Sequence, residues 1–511
     1  MTKKTSPHKV LLALLIAVFS LFHLFAKKMD ESDLDFLYKM AQFSRIAAIL
    51  EGSGFESLTL QDKLLYIECL AKSAQRNEAA KLFQETMADH ALSCQTHTTA
   101  GIVHTSRGQF VEAEDHLKKA LALDPECPKA WMAMMTLELY MQNHEEARNI
   151  YEEIKKRNPE WAESYLFHLL GIEVYGALGD IAKIAELHEL QADKIKKFDK
   201  KQHLNFQKTF RLYRKESKKK AFQSQTATDK VNLPFVELTN KDSYAAIPLK
   251  IKDKLYKVLL DTGNRAGWTI HSRELEKGLK HRLGGTVLTQ IGGEEGMLHG
   301  DLLLTKRVAF QDFTLNHLPG MYIPKPHPDY PDANLNPLFI KDRVVTLDFR
   351  NKELILRTKE WFQEDLALAS AQPEKTAKLP WYGYEQAFIP VLVNKTHEAL
   401  AMIETGAEDI TVNLDFARWH GLDLKPAVRY LSTGKEFPYH STSCLVSIGQ
   451  FRMQREAADV WFFHKLPDPI TGLMPDILLG PNLFKDRFVL TFDPYQKIIL
   501  ISEDFFPQKR K

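Results

Sequence analysis

Two stretches decide the fold. One is Ile247-Pro248-Leu249-Lys250-Ile251 leading through Leu255-Tyr256-Lys257-Val258-Leu259-Leu260 to Asp261-Thr262-Gly263. The other is Ile389-Pro390-Val391-Leu392-Val393 leading through Glu398-Ala399-Leu400-Ala401-Met402-Ile403 to Glu404-Thr405-Gly406. In each, a short polar segment (Lys252-Asp253-Lys254; Asn394-Lys395-Thr396-His397) splits two apolar runs, which predicts a hairpin whose second strand runs into the acid. The parallel continues downstream. Lys341-Asp342-Arg343 precedes an apolar run ending at Asp348 and then Leu354-Ile355-Leu356, while Lys485-Asp486-Arg487 precedes a run ending at Asp493 and then Ile498-Ile499-Leu500. The step from Asp261 to Glu404 matches the step from Lys341 to Lys485 to within a single position. A β-rich unit used twice is the economical reading.

With those flanks, residues of roughly 232–505 resemble a pepsin/retropepsin-type aspartic protease in its two-lobed, single-chain form. Asp476-Ile477-Leu478-Leu479-Gly480 is similar to the family's closing motif, in which Leu478, Leu479 and Gly480 belong to a strand threading beside the catalytic loop. The first lobe offers Ala333-Asn334-Leu335-Asn336 in the equivalent place, with Asn336 where Gly480 stands. Gln290-Ile291-Gly292-Gly293-Glu294-Glu295-Gly296 resembles the glycine-tipped flap, so Gly292 and Gly293 are its expected tip, although such a stretch also reads as an ordinary hairpin turn.

The resemblance implies a carboxylate dyad of Asp261 and Glu404, supported by Thr262 and Thr405 bonding across the lobe interface and by Gly263 and Gly406 allowing close approach. Like charges about 3 Å apart cannot both ionise, as is established for aspartic-protease dyads, so one member takes a proton from water and the other donates to the substrate carbonyl. Two departures stand out. Asn264 follows the first triplet where the family favours a small residue, as Ala407 does in the second, and Glu404 is one methylene longer than Asp. That adds about 1.5 Å of reach, and a misplacement near 1 Å can cost about 100-fold in rate.

Residues of about 60–195 have a different texture, with helical periodicity and a repeat. Ala113, Leu117 and Pro125 recur one unit later as Ala147, Tyr151 and Pro159, and Ala79 and Phe83 hold the same phases one unit earlier. A period of about 34 residues resembles tetratricopeptide repeats, with clear units at about 94–127 and 128–161. Stacked helix pairs of this kind create a surface suited to a protein partner, or serve as a spacer.

Residues 194–220 are rich in Lys and Arg, with Phe206, Phe210 and Tyr213 at helical spacing, which predicts a capping helix with a basic face. The chain is nearly neutral, with 68 Lys and Arg against 66 Asp and Glu, and no recognition motif accompanies the basic run, so nucleic acid is not expected. Residues 10–26 are uncharged and apolar between Lys9 and Lys27-Lys28, with a poor cleavage site. They read as a signal anchor in the membrane that leaves the body exported to the periplasmic or extracellular side. Four cysteines in 511 residues are no disulfide framework, and no metal-ligand spacing occurs, so neither metal nor cofactor is expected.

The expected architecture is therefore an all-α helical-repeat solenoid followed by an all-β bilobal fold. Residues 1–29 form the n-region and anchor, 30–195 the repeats, 196–231 the basic linker or capping helix, 232–368 the first lobe and 369–511 the second. The leading functional expectation is a membrane-anchored aspartic endopeptidase that binds an extended polypeptide between its lobes. The alternative is a pseudo-protease in which cleft and repeats form a peptide-binding scaffold. Pairing of two first lobes between chains is disfavoured by the intact second lobe.

Overall fold

The computed structural model describes residues 33–88, 93–195, 207–208, 223–226, 228–238, 244–289, 298–311, 313–325, 330–383, 385–430, 436–461 and 472–503. The expected anchor (10–26), most of the basic linker and the Gly292-Gly293 tip lie outside these residues. Among the described residues, no helix is long and apolar enough to cross a membrane.

The N-terminal part is a run of antiparallel helix pairs. Cys94–Ser106 pairs with Phe110–Leu123, and Pro128–Tyr140 with His144–Arg157, matching the two expected units. Leu60–Lys72 with Arg76–Met87, and Tyr165–Leu178 with Ile181–Ile195, add a pair on either side. The repeat period marks residues that vanish into the helix crossings: Ala79, Ala113, Leu117, Ala147 and Tyr151 are all buried. A methyl on Gly101 would lie 2.5 Å from the Leu117 side chain, so this crossing needs the bare backbone.

The C-terminal part is β-rich and duplicated strand by strand. It opens with β1 (Gln223–Thr226) and β2 (Lys230–Pro234), so it begins earlier than the expected 232 and takes in the end of the supposed linker. The first of these strands is polar throughout and the second alternates too briefly to stand out beside the basic run. Their partners, the strands Phe313–Tyr322 and Glu353–Arg357, lie far along the chain.

The first lobe continues with β3 (Ala246–Ile251), β4 (Lys254–Leu260), β5 (Trp268–Ile270), β6 (His281–Thr289), β7 (Leu298–Phe310), β8 (Phe313–Tyr322), β9 (Ala333–Leu335), β10 (Val344–Asp348) and β11 (Glu353–Arg357). The second contains β12 (Thr376–Pro380), β13 (Ala387–Val393), β14 (His397–Ile403), β15 (Thr411–Asn413), β16 (Lys425–Tyr430), β17 (Glu436–Ile448), β18 (Phe451–Trp461), β19 (Ile477–Leu479), β20 (Val489–Asp493) and β21 (Ile498–Ser502). One sheet runs β3-β4-β9-β5-β8-β7-β6 and its counterpart β13-β14-β19-β15-β18-β17-β16, the same order with each strand number raised by ten.

A third sheet, β12-β21-β20-β10-β11-β2, joins the lobes across a local two-fold axis. At its centre β10 and β20 pair antiparallel, with Thr346 opposite Thr491 and their hydroxyls 3.0 Å apart. One continuous apolar core passes through both lobes, from Trp268 and Phe313 to Phe484 and Phe492.

The repeats do not stand apart from this body. Their core is continuous with a face of the second lobe made by Phe388, Leu400, Met402, Leu473, Met474 and Leu478. Phe110 packs on Tyr382 with ring centroids 4.5 Å apart, Gly383 N–H donates to the Tyr140 carbonyl at 2.7 Å, and Gln142 Nε2 donates to the Trp381 carbonyl at 2.9 Å. Gly108 lies against Leu400, and Gly472, at φ +68°, lies against the Ala71 carbonyl where no side chain fits.

At the centre of this contact is a buried ion pair, Arg76 with Asp476. Asp476 has a counterpart in the first lobe. Asp332 Oδ2 accepts from Lys257 N–H at 2.9 Å and Asp476 Oδ2 from Leu400 N–H at 2.8 Å, each tying the second hairpin strand to the segment before the threaded strand. Asp332 finds its cation, Lys325, within its own lobe at 2.9 Å, whereas Asp476 takes Arg76 from the repeats.

Candidate active site

Each acid is placed by the same device. Strand β9 lies parallel to β4 and antiparallel to β5, and Asp261 N–H donates to the Leu335 carbonyl at 2.9 Å. Strand β19 lies likewise between β14 and β15, and Glu404 N–H donates to the Leu479 carbonyl at 3.0 Å. Leu479 packs into the core shared by the lobes, whereas Leu478 faces the repeats. Gly480 permits the crossing, since a methyl there would come within 2.6 Å of the Glu408 and Asp409 backbone.

The threonines lock the two loops together. Thr262 N–H donates to Thr405 Oγ1 at 3.0 Å and Thr405 N–H to Thr262 Oγ1 at 3.0 Å. Each hydroxyl then donates across the interface, Thr262 to the Ile403 carbonyl and Thr405 to the Leu260 carbonyl, both at 2.6 Å. Both side chains are fully buried, so every bond in the cross replaces one that water can no longer supply.

Above this cross the carboxyls of Asp261 and Glu404 meet and share a hydrogen bond, while both residues keep partial solvent exposure. Asp261 Oδ1 accepts from Gly263 N–H at 3.2 Å and Oδ2 from Asn334 Nδ2 at 2.8 Å. Glu404 Oε1 accepts from Gly406 N–H at 3.0 Å. Desolvation pushes both carboxyls up. For Glu404 the neighbouring Asp261 charge raises it further, well above the ordinary carboxylate range. For Asp261 the bonds from Glu404, Asn334 and Gly263 work against desolvation. The two carboxyls therefore titrate as one coupled pair that holds a proton between them.

The extra methylene of Glu404 is accommodated by the opposite glycine. The carboxyl lies over Gly263, where any side chain would overlap it. Gly406 faces Asp261 in the same way, with a methyl there lying 2.7 Å from Cγ.

The two asparagines out of pattern are built into the site. Asn264 Oδ1 accepts from Thr269 Oγ1 at 3.1 Å and from Ala266 N–H at 3.3 Å, steadying the turn after the triplet. Asn336 is fully buried, and its Nδ2 donates to the carbonyls of Asn264 at 3.2 Å and of Glu385 in the second lobe at 2.7 Å. Where Gly480 allows a close backbone crossing, Asn336 substitutes a side-chain bridge. Asn334, which orients Asp261, was not singled out in the sequence. Its signal is slight: a polar residue at the middle of an otherwise apolar three-residue strand.

Strands β6 and β7 pair as a hairpin up to Thr289 opposite Leu298, and the expected tip at Gly292 and Gly293 lies outside the described residues. One sequence expectation needs correcting. Cys94, Asp124 and Cys127 gather with ligand atoms within 4.8 Å of one another, a grouping hidden in the sequence because it joins the two ends of a repeat unit.

Comparison with known proteins assigns the helical part. A tetratricopeptide repeat family model matches residues 104–167. Among solved structures, a mutant of MamA is similar at 14% identity and a TM-score of 0.23, over 30% of this chain and 87% of that one. No curated protein matches the chain. The protein thus carries tetratricopeptide repeats docked on a β-rich, duplicated C-terminal region.

Proposed function

We propose that the duplicated β-rich region is an aspartic-protease-type bilobal fold, and that Asp261 and Glu404 hydrolyse peptide bonds as an unequal dyad. The observation that carries this reading is the hydrogen-bonded pair of Asp261 and Glu404 carboxyls above the threonine cross. Asp261 removes a proton from a water whose oxygen attacks the scissile carbonyl carbon, while Glu404 gives its proton to the carbonyl oxygen. Collapse of the resulting diol returns a proton to Glu404, passes the proton on Asp261 to the amine nitrogen and breaks the C–N bond, restoring the pair. The substrate is an extended polypeptide between the lobes, and the repeats recruit a protein partner or the substrate itself. Residues 10–26, apolar between lysines, tether the exported body to a membrane.

A second reading, a peptide-binding scaffold without hydrolysis, draws on one observation. The Glu404 carboxyl already accepts from Gly406 N–H and lies over Gly263, so its added length is taken up by the loops rather than presented to a substrate.

The test uses the full chain with a mixed peptide library between pH 3 and 7, alongside Asp261→Asn and Glu404→Asp. Cleavage that Asp261→Asn abolishes is the expected result. Peptide retention without cleavage by the parent at any pH establishes the scaffold, and cleavage surviving Asp261→Asn removes the dyad mechanism.

A further inference from the structure

We propose that Cys94, Asp124 and Cys127 form a binding site for a thiophilic divalent cation, zinc in class, at the junction of two tetratricopeptide units. Cys94 is the first residue of helix Cys94–Ser106, Cys127 is the N-cap of helix Pro128–Tyr140, and Asp124 ends helix Phe110–Leu123. The repeat brings the start of one unit beside the start of the next. This places two thiols and a carboxylate within 4.8 Å of one another, although the two cysteines stand at opposite ends of one unit of the chain.

The turn carrying two of the ligands is fixed from within. Asp124 Oδ1 accepts from Glu126 N–H at 3.0 Å and the Asp124 carbonyl from Cys127 N–H at 3.3 Å, which leaves Oδ2 for a cation. Zinc takes thiolate sulfur at about 2.3 Å and carboxylate oxygen at about 2.0–2.2 Å, so tetrahedral ligands stand roughly 3.5–3.8 Å apart. The present spacing reaches that by small side-chain rotations.

Charge and access agree with this assignment. Two thiolates, one carboxylate and a divalent cation sum to −1, placed at two helix N-termini whose exposed N–H groups favour negative charge. Sulfur binds the cation as thiolate, so binding releases protons and tightens as pH rises. Soft sulfur selects zinc over magnesium or calcium. Asp124 is exposed and the cysteines half-buried, so the cation enters from solvent and water completes its shell. The cation then bolts the turn after one helix pair to the first helix of the same pair, and its binding energy adds to solenoid stability.

The test takes the full-length protein, reduced and freed of metal by chelation, and titrates it with Co²⁺ and then Zn²⁺. One equivalent of Co²⁺ should give a near-ultraviolet thiolate-to-cobalt absorption that Zn²⁺ abolishes, and Zn²⁺ should raise the melting temperature of the helical signal. Cys94→Ser and Cys127→Ser should lose the band, Asp124→Asn should weaken binding about tenfold, and Cys444→Ala should leave it intact, with far-ultraviolet dichroism confirming the fold of each variant. No band in the parent, or a band that survives Cys94→Ser, overturns the proposal. So does a thiol count of two in the untreated protein, restored to four by dithiothreitol, which assigns the pair to a disulfide.

Discussion

Replacing Arg76 by Met isolates the interaction that joins the repeats to the second lobe. Arg76 is buried, pairs with Asp476 Oδ1 and also donates to the Met474 carbonyl. Removing one partner of a buried pair costs about 3–5 kcal/mol, because the other charge stays behind. Here the lower end applies. Arg107 lies close enough to act on Asp476 through its charge, and both line a cavity of about 400 Å³ that admits water. A loss of about 3 kcal/mol lowers the folded-to-unfolded ratio by roughly a hundredfold.

The penalty depends on pH, and its sign follows from Asp476. Burial raises the Asp476 carboxyl, with Arg76 the first influence holding it down. The folded state therefore binds its proton more tightly than the unfolded state, and stability from this group falls as pH climbs from the unfolded value through the folded one. Without Arg76 the folded value rises further and the fall steepens. Below the unfolded value, near pH 4, both states are protonated and only the lost hydrogen bonds remain, about 1–2 kcal/mol. Urea unfolding followed by tryptophan fluorescence at pH 4.5 and pH 8 reads the difference, and the double variant Arg76→Met/Asp476→Asn should recover most of the loss at pH 8. A cost under about 1 kcal/mol at pH 8, or an equal cost at both pH values, refutes the reasoning.

Three further outcomes are expected. Gly263→Ala drives a methyl into the Glu404 carboxyl, so peptide hydrolysis should fall at least about 100-fold, checked by initial rates beside a melting curve. Glu404→Gln keeps the neutral shape of a residue whose proton is held well above the ordinary range. Its melting temperature should match the parent near pH 4 and exceed it increasingly toward pH 9, where the parent loses stability to ionisation. Thr262→Val leaves Thr405 N–H buried without an acceptor and should cost about 1–3 kcal/mol in chemical denaturation. Adding Thr405→Val should cost less than the same amount again, since the two belong to one network.

The hairpins and the duplication could be read from sequence because they are local: apolar runs, a polar break, and recurrence at fixed spacing. The same holds for the helix crossings, where Ala113 and Ala147 betray themselves by size and period. Asn334 and Asp476 could not be read in this way. An Asn inside a short strand and an Asp before an apolar triplet are common, and what gives them meaning is a partner far along the chain, Asp261 for one and Arg76 for the other. The start of the β-rich region was obscured for the same reason. Residues 223–231 look like the tail of a basic segment until β8 and β11 supply their hydrogen bonds.

The unequal treatment of Asp332 and Asp476 has a consequence for how the protein comes into being. The first lobe neutralises its aspartate from its own sequence, while the second borrows a cation, and an apolar cover, from helices made long before it. A chain emerging in order thus has the second lobe's missing surface synthesised before that lobe. The repeats act as a built-in template for the half of the molecule that carries Glu404. Shortening the protein to its β-rich region would remove that template, and inheritance of the two halves would be coupled. A lesion at Arg76, at the start of a helix, would then present as a defect of a site whose acid, Glu404, belongs to the far end of the chain.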